Sequence, residues 1–252
     1  METKPYLIVI PYLAEAAQGE ELKYALAGWR RHFKEPYHIV LIGEKVPKLK
    51  GDDITCIESK RVPAIPGQYR QHLDYVNCLR KVRKRFPDSE GFIMVADDCY
   101  AINDFDIADV RFLKCLEQEF NCDPNTLNGW RRDKLKTKEA LKKAGNPVRN
   151  YTTHLPQWYD WDKWEALVQL YGMDKESYVV EDLYYNTYYA GRVPFQISGT
   201  HENLKLGVYS STPFEHELKA APKTKIWVTN SPVGWCKPLI DLLEEHLNQN
   251  ED

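Results

Sequence analysis

No apolar run in this 252-residue chain approaches the roughly 20 residues that a membrane-spanning helix requires. The longest, Tyr6 to Ile10, is the size of one strand. The opening METKPYLIVIPY lacks the length and the small-residue cleavage site of a secretory signal. Cys-x-x-Cys pairs are missing too, and Cys56, Cys78, Cys99, Cys115, Cys122 and Cys236 show no zinc-like spacing. Scattered cysteines without a leader are expected as reduced thiols in a cytoplasmic protein. There is no surplus of positive charge, and a net charge of −3 argues against a general nucleic-acid coat. Internal repeats and low-complexity linkers are absent, so a single domain over 1–252 is expected.

What is present describes a globular chain: 43% hydrophobic and 28% charged residues, neither disordered nor membrane-embedded. Sixteen Tyr and seven Trp are many for this length, and amphipathic rings suit both cores and sugar-stacking surfaces. Core and rim packing is the expectation for most of them.

The first half alternates strand and helix patterns. Tyr6 to Ile10, His38 to Ile42 and Ile54 to Ile57 are apolar runs of strand length. Helical stripes lie between and after them: Leu22, Leu26, Trp29 and Phe33, then Leu73, Val76, Leu79, Val82 and Phe86. Gly91 to Ala96 is a further buried strand that runs straight into Asp97-Asp98. This β-α-β-β-α-β order predicts an α/β fold with a doubly wound, mostly parallel sheet flanked by helices. Ligands of such sheets bind beyond the carboxyl ends of the strands, where Pro11-Tyr12, Gly43-Glu44 and Asp97-Asp98 fall. The second half reads as mainly helical: 107–120, 133–144, 162–171, 177–190 and 238–247, with a late strand at 225–229.

Two adjacent carboxylates at a strand's ligand-binding end repel each other, and a divalent cation removes that cost. Mg²⁺ or Mn²⁺ takes one or two carboxylates together with phosphate oxygens and water. A solvated turn or a helix cap is the competing explanation for Asp-Asp. In its setting, F-I-M-V-A-D-D-C-Y (92–100) resembles the acidic motif of GT-A glycosyltransferases, which follows the fourth strand and binds metal and donor diphosphate. The usual spaced pair is adjacent here. An adjacent pair also resembles the Stealth-type sugar-phosphate transferases and related bacterial and phage-borne proteins.

The resemblance implies a metal-dependent, GT-A-like enzyme with a nucleotide-sugar donor, residues 1–100 binding the donor and 101–252 facing the acceptor. It places Asp97 and Asp98 on Mn²⁺ or Mg²⁺, Asp97 also at the donor, and Pro11, Tyr12 and Glu44 around the nucleoside. Arg70, Asn77 and Lys81 share a helix face by their spacing and match the positions that line the donor. In Y-T-T-H-L-P-Q-W-Y-D (151–160), His154 fits either a third metal ligand or a catalytic proton carrier. Glu181 and Asp182, beside the aromatic run 183–189, are candidate catalytic carboxylates of the acceptor pocket, or else helix caps and ion-pair partners. Lys237-Pro238 is similar to a Lys-Pro element near the diphosphate in some such enzymes, and is equally a helix start.

Transfer of a sugar phosphate and ligand binding without turnover are the alternatives. The acceptor is a glycan or, through the basic cluster Arg131, Arg132, Lys134, Lys136, Lys138, Lys142 and Lys143, a nucleic acid whose extruded modified base meets the aromatic run.

Overall fold

The computed structural model describes residues 4–66, 68–117, 128–197 and 204–247; Cys122, the end of the expected 107–120 helix and the tail 248–252 lie outside them. Its central sheet has the order β3 (Ile54–Glu58), β2 (Tyr37–Glu44), β1 (Tyr6–Leu13), β4 (Gly91–Met94), β7 (Gln157–Asp160). The first four strands are parallel, and β7 adds antiparallel to β4. The α/β fold with a mostly parallel sheet flanked by helices is therefore present.

The unbroken apolar runs follow from coverage of both sheet faces. Leu7, Val9, Val40, Ile42, Phe92 and Met94 point to one face, where Val76, Leu79 and Val82 of α2 (Arg70–Arg85) pack. Ile8, Ile10, Ile39, Leu41 and Ile93 point to the other, against Leu26, Trp29 and Phe33 in and after α1 (Glu21–His32).

Strand β1 does not stop at Pro11 but continues to Leu13, with Pro11 opposite Ile42 of β2. Val95 N donates to Val9 O, so alternate residues of β1 turn their backbone groups toward β4, and Pro11 is the next of that set. Pairing with β4 ends at Val9–Met94, so the N–H that proline lacks has no strand to meet. Gly43, opposite Tyr12, has no room for a side chain: a Cβ there would run into the Tyr12 carbonyl oxygen. Gly43→Ala is expected to cost roughly 1–3 kcal/mol through this overlap, read as a lower midpoint in urea unfolding.

The expected 107–120 helix is much shorter. α3 (Ile107–Arg111) ends before Phe112, and Lys114–Leu116 form β6. The buried Lys114 ammonium closes the helix by donating to the carbonyls of Asp109, Val110 and Phe112. Burial lowers its pKa to about 7.

The second half holds α4 (Gly129–Lys143), capped by Asn128, α5 (Trp161–Tyr171), α6 (Val180–Tyr188), α7 (Glu215–Thr224) and α8 (Lys237–Leu247). Short strands accompany them: β5 (Cys99–Ala101), β10 (Trp227–Asn230) and β9 (Lys205–Val208) form a small sheet, and β6 pairs with β8 (Phe195–Ile197).

Tyr159, Tyr184 and Tyr185 pack with Phe92, Trp161 and Trp164 in the core. The aromatic run is thus largely interior, with Tyr188 and Tyr189 partly buried at its end. The five described cysteines are free thiols. Among the described residues no helix is long and apolar enough to cross a membrane.

Candidate active site

A cleft of about 420 Å³ opens beyond the carboxyl ends of β1 and β4. Its walls include Pro11, Glu21, Gln71, His72, Tyr75, Asp97, Asp98, Trp130, His154 and Glu181. The chain places this cleft where a parallel sheet leaves strand ends uncovered.

Asp97 and Asp98 lie in the loop between β4 and β5, half-buried. Burial first, then the charge of Glu21, raises Asp97 to about 6. Burial, Asp97 and Glu21 together raise Asp98 to about 7, with Lys205 opposing. The Asp98 Oδ1 atom is buried and has no hydrogen-bond partner. A carboxylate oxygen left in that condition is costly unless a ligand completes it. Neither aspartate caps a helix or forms an ion pair among the described residues.

Glu21, a residue outside the sequence motifs, is the third acid here. It is buried, accepting from Asn230 Nδ2 at 2.8 Å and from Gln18 N at 2.9 Å. Asn230 also receives the Tyr100 hydroxyl at 2.6 Å and donates its N–H to the Asp98 carbonyl at 3.3 Å. This network braces the acidic loop from behind. The signal was available: Glu21 heads the buried stripe Glu21, Tyr24, Ala25, Gly28 at helical spacing.

His154 adopts a left-handed backbone, φ 55°, uncommon for a non-glycine residue and often found at functional sites. The residue is exposed and lines the cleft, while burial of its ring among protein atoms, then Lys205 and Lys134, lowers its pKa. It is neutral at pH 7. Among the described residues no three His, Cys, Asp or Glu side chains converge as a metal-ligand set, so Asp97, Asp98 and His154 do not form the expected trio.

The two neighbouring acids of α6 separate. Glu181 lines the cleft, and burial raises its pKa. Asp182 faces the interior, ion-paired with buried Lys134 and accepting from Tyr151 N at 2.6 Å. It serves the core rather than a cleft ligand. Lys136 pairs with Glu176 at 2.8 Å, so the basic cluster on α4 is partly committed within the protein.

Pro11, Tyr12 and Glu44 meet at a smaller pocket beside the main cleft, with Gly43, Gln71 and Tyr75. Arg70, Asn77 and Lys81 line neither. Asn77 donates to Ser59 Oγ at 3.1 Å and Lys81 to the Glu58 carbonyl at 3.3 Å, tying α2 to the end of β3. The helix presents Gln71, His72 and Tyr75 to the cleft instead. Lys237 pairs with Asp241 within α8, and Lys237-Pro238 is a helix start.

No family model and no curated protein sequence matches this chain. Among solved structures, the apo form of the bifunctional glycosyltransferase WbbM aligns with all of this chain at a TM-score of 0.51 and 13% identity. The alignment covers 50% of that protein, so this chain corresponds to about half of its length. The likeness establishes a glycosyltransferase-like fold.

Proposed function

We propose that the chain is a glycosyltransferase that takes a nucleotide-sugar donor and uses Mn²⁺ or Mg²⁺ at Asp97 and Asp98. The observation that carries this is the buried, unpartnered Asp98 Oδ1 in a carboxylate pair facing a cleft at the sheet's ligand-binding end. Two carboxylates suit a hard dication whose remaining ligands are phosphate oxygens and water. Held by Asp97 and Asp98, such an ion would supply positive charge against a departing diphosphate.

The protein's own groups supply the rest. The smaller pocket holds the nucleoside, with Tyr12 as the stacking ring and Glu44 as the hydrogen-bond acceptor. Glu21 and Asn230 keep the acidic loop in place through the Asp98 backbone. Neutral His154 offers a ring nitrogen to the bound ligand. Glu181 accepts a hydrogen bond from a hydroxyl of the acceptor next to the reacting one, an orienting role that a buried carboxylate performs without competition from water. The acceptor is a glycan or, less favoured by the committed lysines, a nucleic acid.

A melting-temperature screen of UDP- and GDP-sugars with and without Mn²⁺ tests this. One donor should stabilise the protein only when the metal is present, by about 2.7 kcal/mol at a hundredfold excess over its Kd. Equal stabilisation in EDTA, or none from any donor, refutes the proposal.

A further inference from the structure

We propose that His72, held by Asp133, takes the proton from the acceptor hydroxyl; this role rests on the transferase function above. His72 lines the cleft, yet only 5% of its surface is exposed. Its Nδ1 lies 2.8 Å from Asp133 Oδ2. Asp133 is 1% exposed and accepts two further bonds, from Ser177 Oγ at 2.7 Å and Tyr69 N at 3.2 Å. A carboxylate surrounded by donors acts as acceptor, so Nδ1 carries the proton and donates it. With that proton on Nδ1 the lone pair is at Nε2, and among the described residues no protein group hydrogen-bonds to Nε2 of this cleft-lining side chain.

The ring is held in orientation as well as in tautomer. Tyr69 packs edge-on at 5.0 Å between centroids, and Tyr75 lies at 6.2 Å on the helix's next turn. Glu181, on the same cleft wall, is within electrostatic reach of His72. The imidazolium that forms on proton uptake therefore meets Asp133 behind it and Glu181 beside it. A histidine backed by a buried carboxylate is the arrangement by which proteins hold a base in the reactive tautomer.

In the step, the acceptor's O–H proton moves to Nε2 as that oxygen's electron pair forms the bond to the anomeric carbon. The bond from that carbon to the diphosphate oxygen breaks, and the nucleoside diphosphate leaves with the electron pair. Nε2 then returns its proton to solvent. Glu181 orients the acceptor through a neighbouring hydroxyl while His72 receives the proton.

The test measures nucleoside diphosphate released from UDP-glucose, UDP-galactose and GDP-mannose with Mn²⁺, water being the acceptor. His72→Asn keeps an N–H for Asp133 but has no atom at Nε2. It should retain the far-ultraviolet spectrum and the Mn²⁺-dependent melting shift while release falls by about 10²–10⁴-fold. His72→Ala should lose as much and regain part of it with added imidazole. Release by His72→Asn within about threefold of wild type overturns the role of His72 alone. So does His72→Ala that binds donor normally yet gains nothing from imidazole. A wild type that releases nothing from any of the donors overturns the transferase function, and this role with it.

Discussion

Asp98→Asn is expected to abolish Mn²⁺-dependent donor binding and to lower transfer about a thousandfold, the several kcal/mol that a bound dication contributes. The same substitution should leave the metal-free protein folded and flatten its pH dependence. Asp98 is raised to about 7 and Asp97 to about 6, by burial first and then by neighbouring carboxylates. A carboxyl with a folded pKa above its unfolded value, near 3.9, stays protonated in the native state after the unfolded chain has released its proton. The stability from this cluster is therefore full below about pH 4 and declines as pH rises through 6 to 7.

Wild-type protein in EDTA should be less stable at pH 8 than at pH 5 by an amount on the order of 2–4 kcal/mol from these groups. Mn²⁺ and donor should restore the loss at pH 8. Asp98→Asn should show a distinctly smaller difference, since the carboxyl with the larger shift no longer titrates. Urea unfolding at the two pH values checks both points. A variant whose pH dependence matches the wild type's would mean that the acidic pair is not the strained element.

The second large effect is a stability loss at Asp182, next door to a residue whose replacement should cost none. Asp182→Ala removes the carboxylate that faces the buried Lys134 ammonium and the Tyr151 N–H. Breaking a buried pair from one side costs about 3–5 kcal/mol, because the remaining charge loses its counterion in a poor solvent. The expected readout is a melting temperature lower by roughly 10 °C. Glu181→Gln should melt at or above the wild-type temperature, since burial disfavours the ionised acid it replaces. It should lower transfer about a hundredfold with the Mn²⁺-dependent donor shift intact. Equal destabilisation by the two substitutions would contradict the separate roles assigned to these acids.

The apolar runs at Tyr6–Ile10, His38–Ile42 and Gly91–Ala96 were sufficient to identify a parallel sheet. Strands covered on both faces bury every side chain, and that shows in composition alone. The acidic pair was equally readable, because a strand's direction dictates where its last residues emerge. Neighbours along the chain were not separable by such means. Glu181 and Asp182 look alike in sequence, yet one residue turns about 100° around a helix, which sends one to the cleft and the other to Lys134. The face of α2 that meets the cleft is hidden in the sequence for a related reason. Helical spacing groups Arg70, Asn77 and Lys81, but only the docking of α2 on β3 decides that Gln71, His72 and Tyr75 look inward. The partner of His72 is 61 residues away, and Glu21 meets Asn230 across 209. Contacts of that span arise from packing, where burial and hydrogen-bond satisfaction select partners that no local pattern marks.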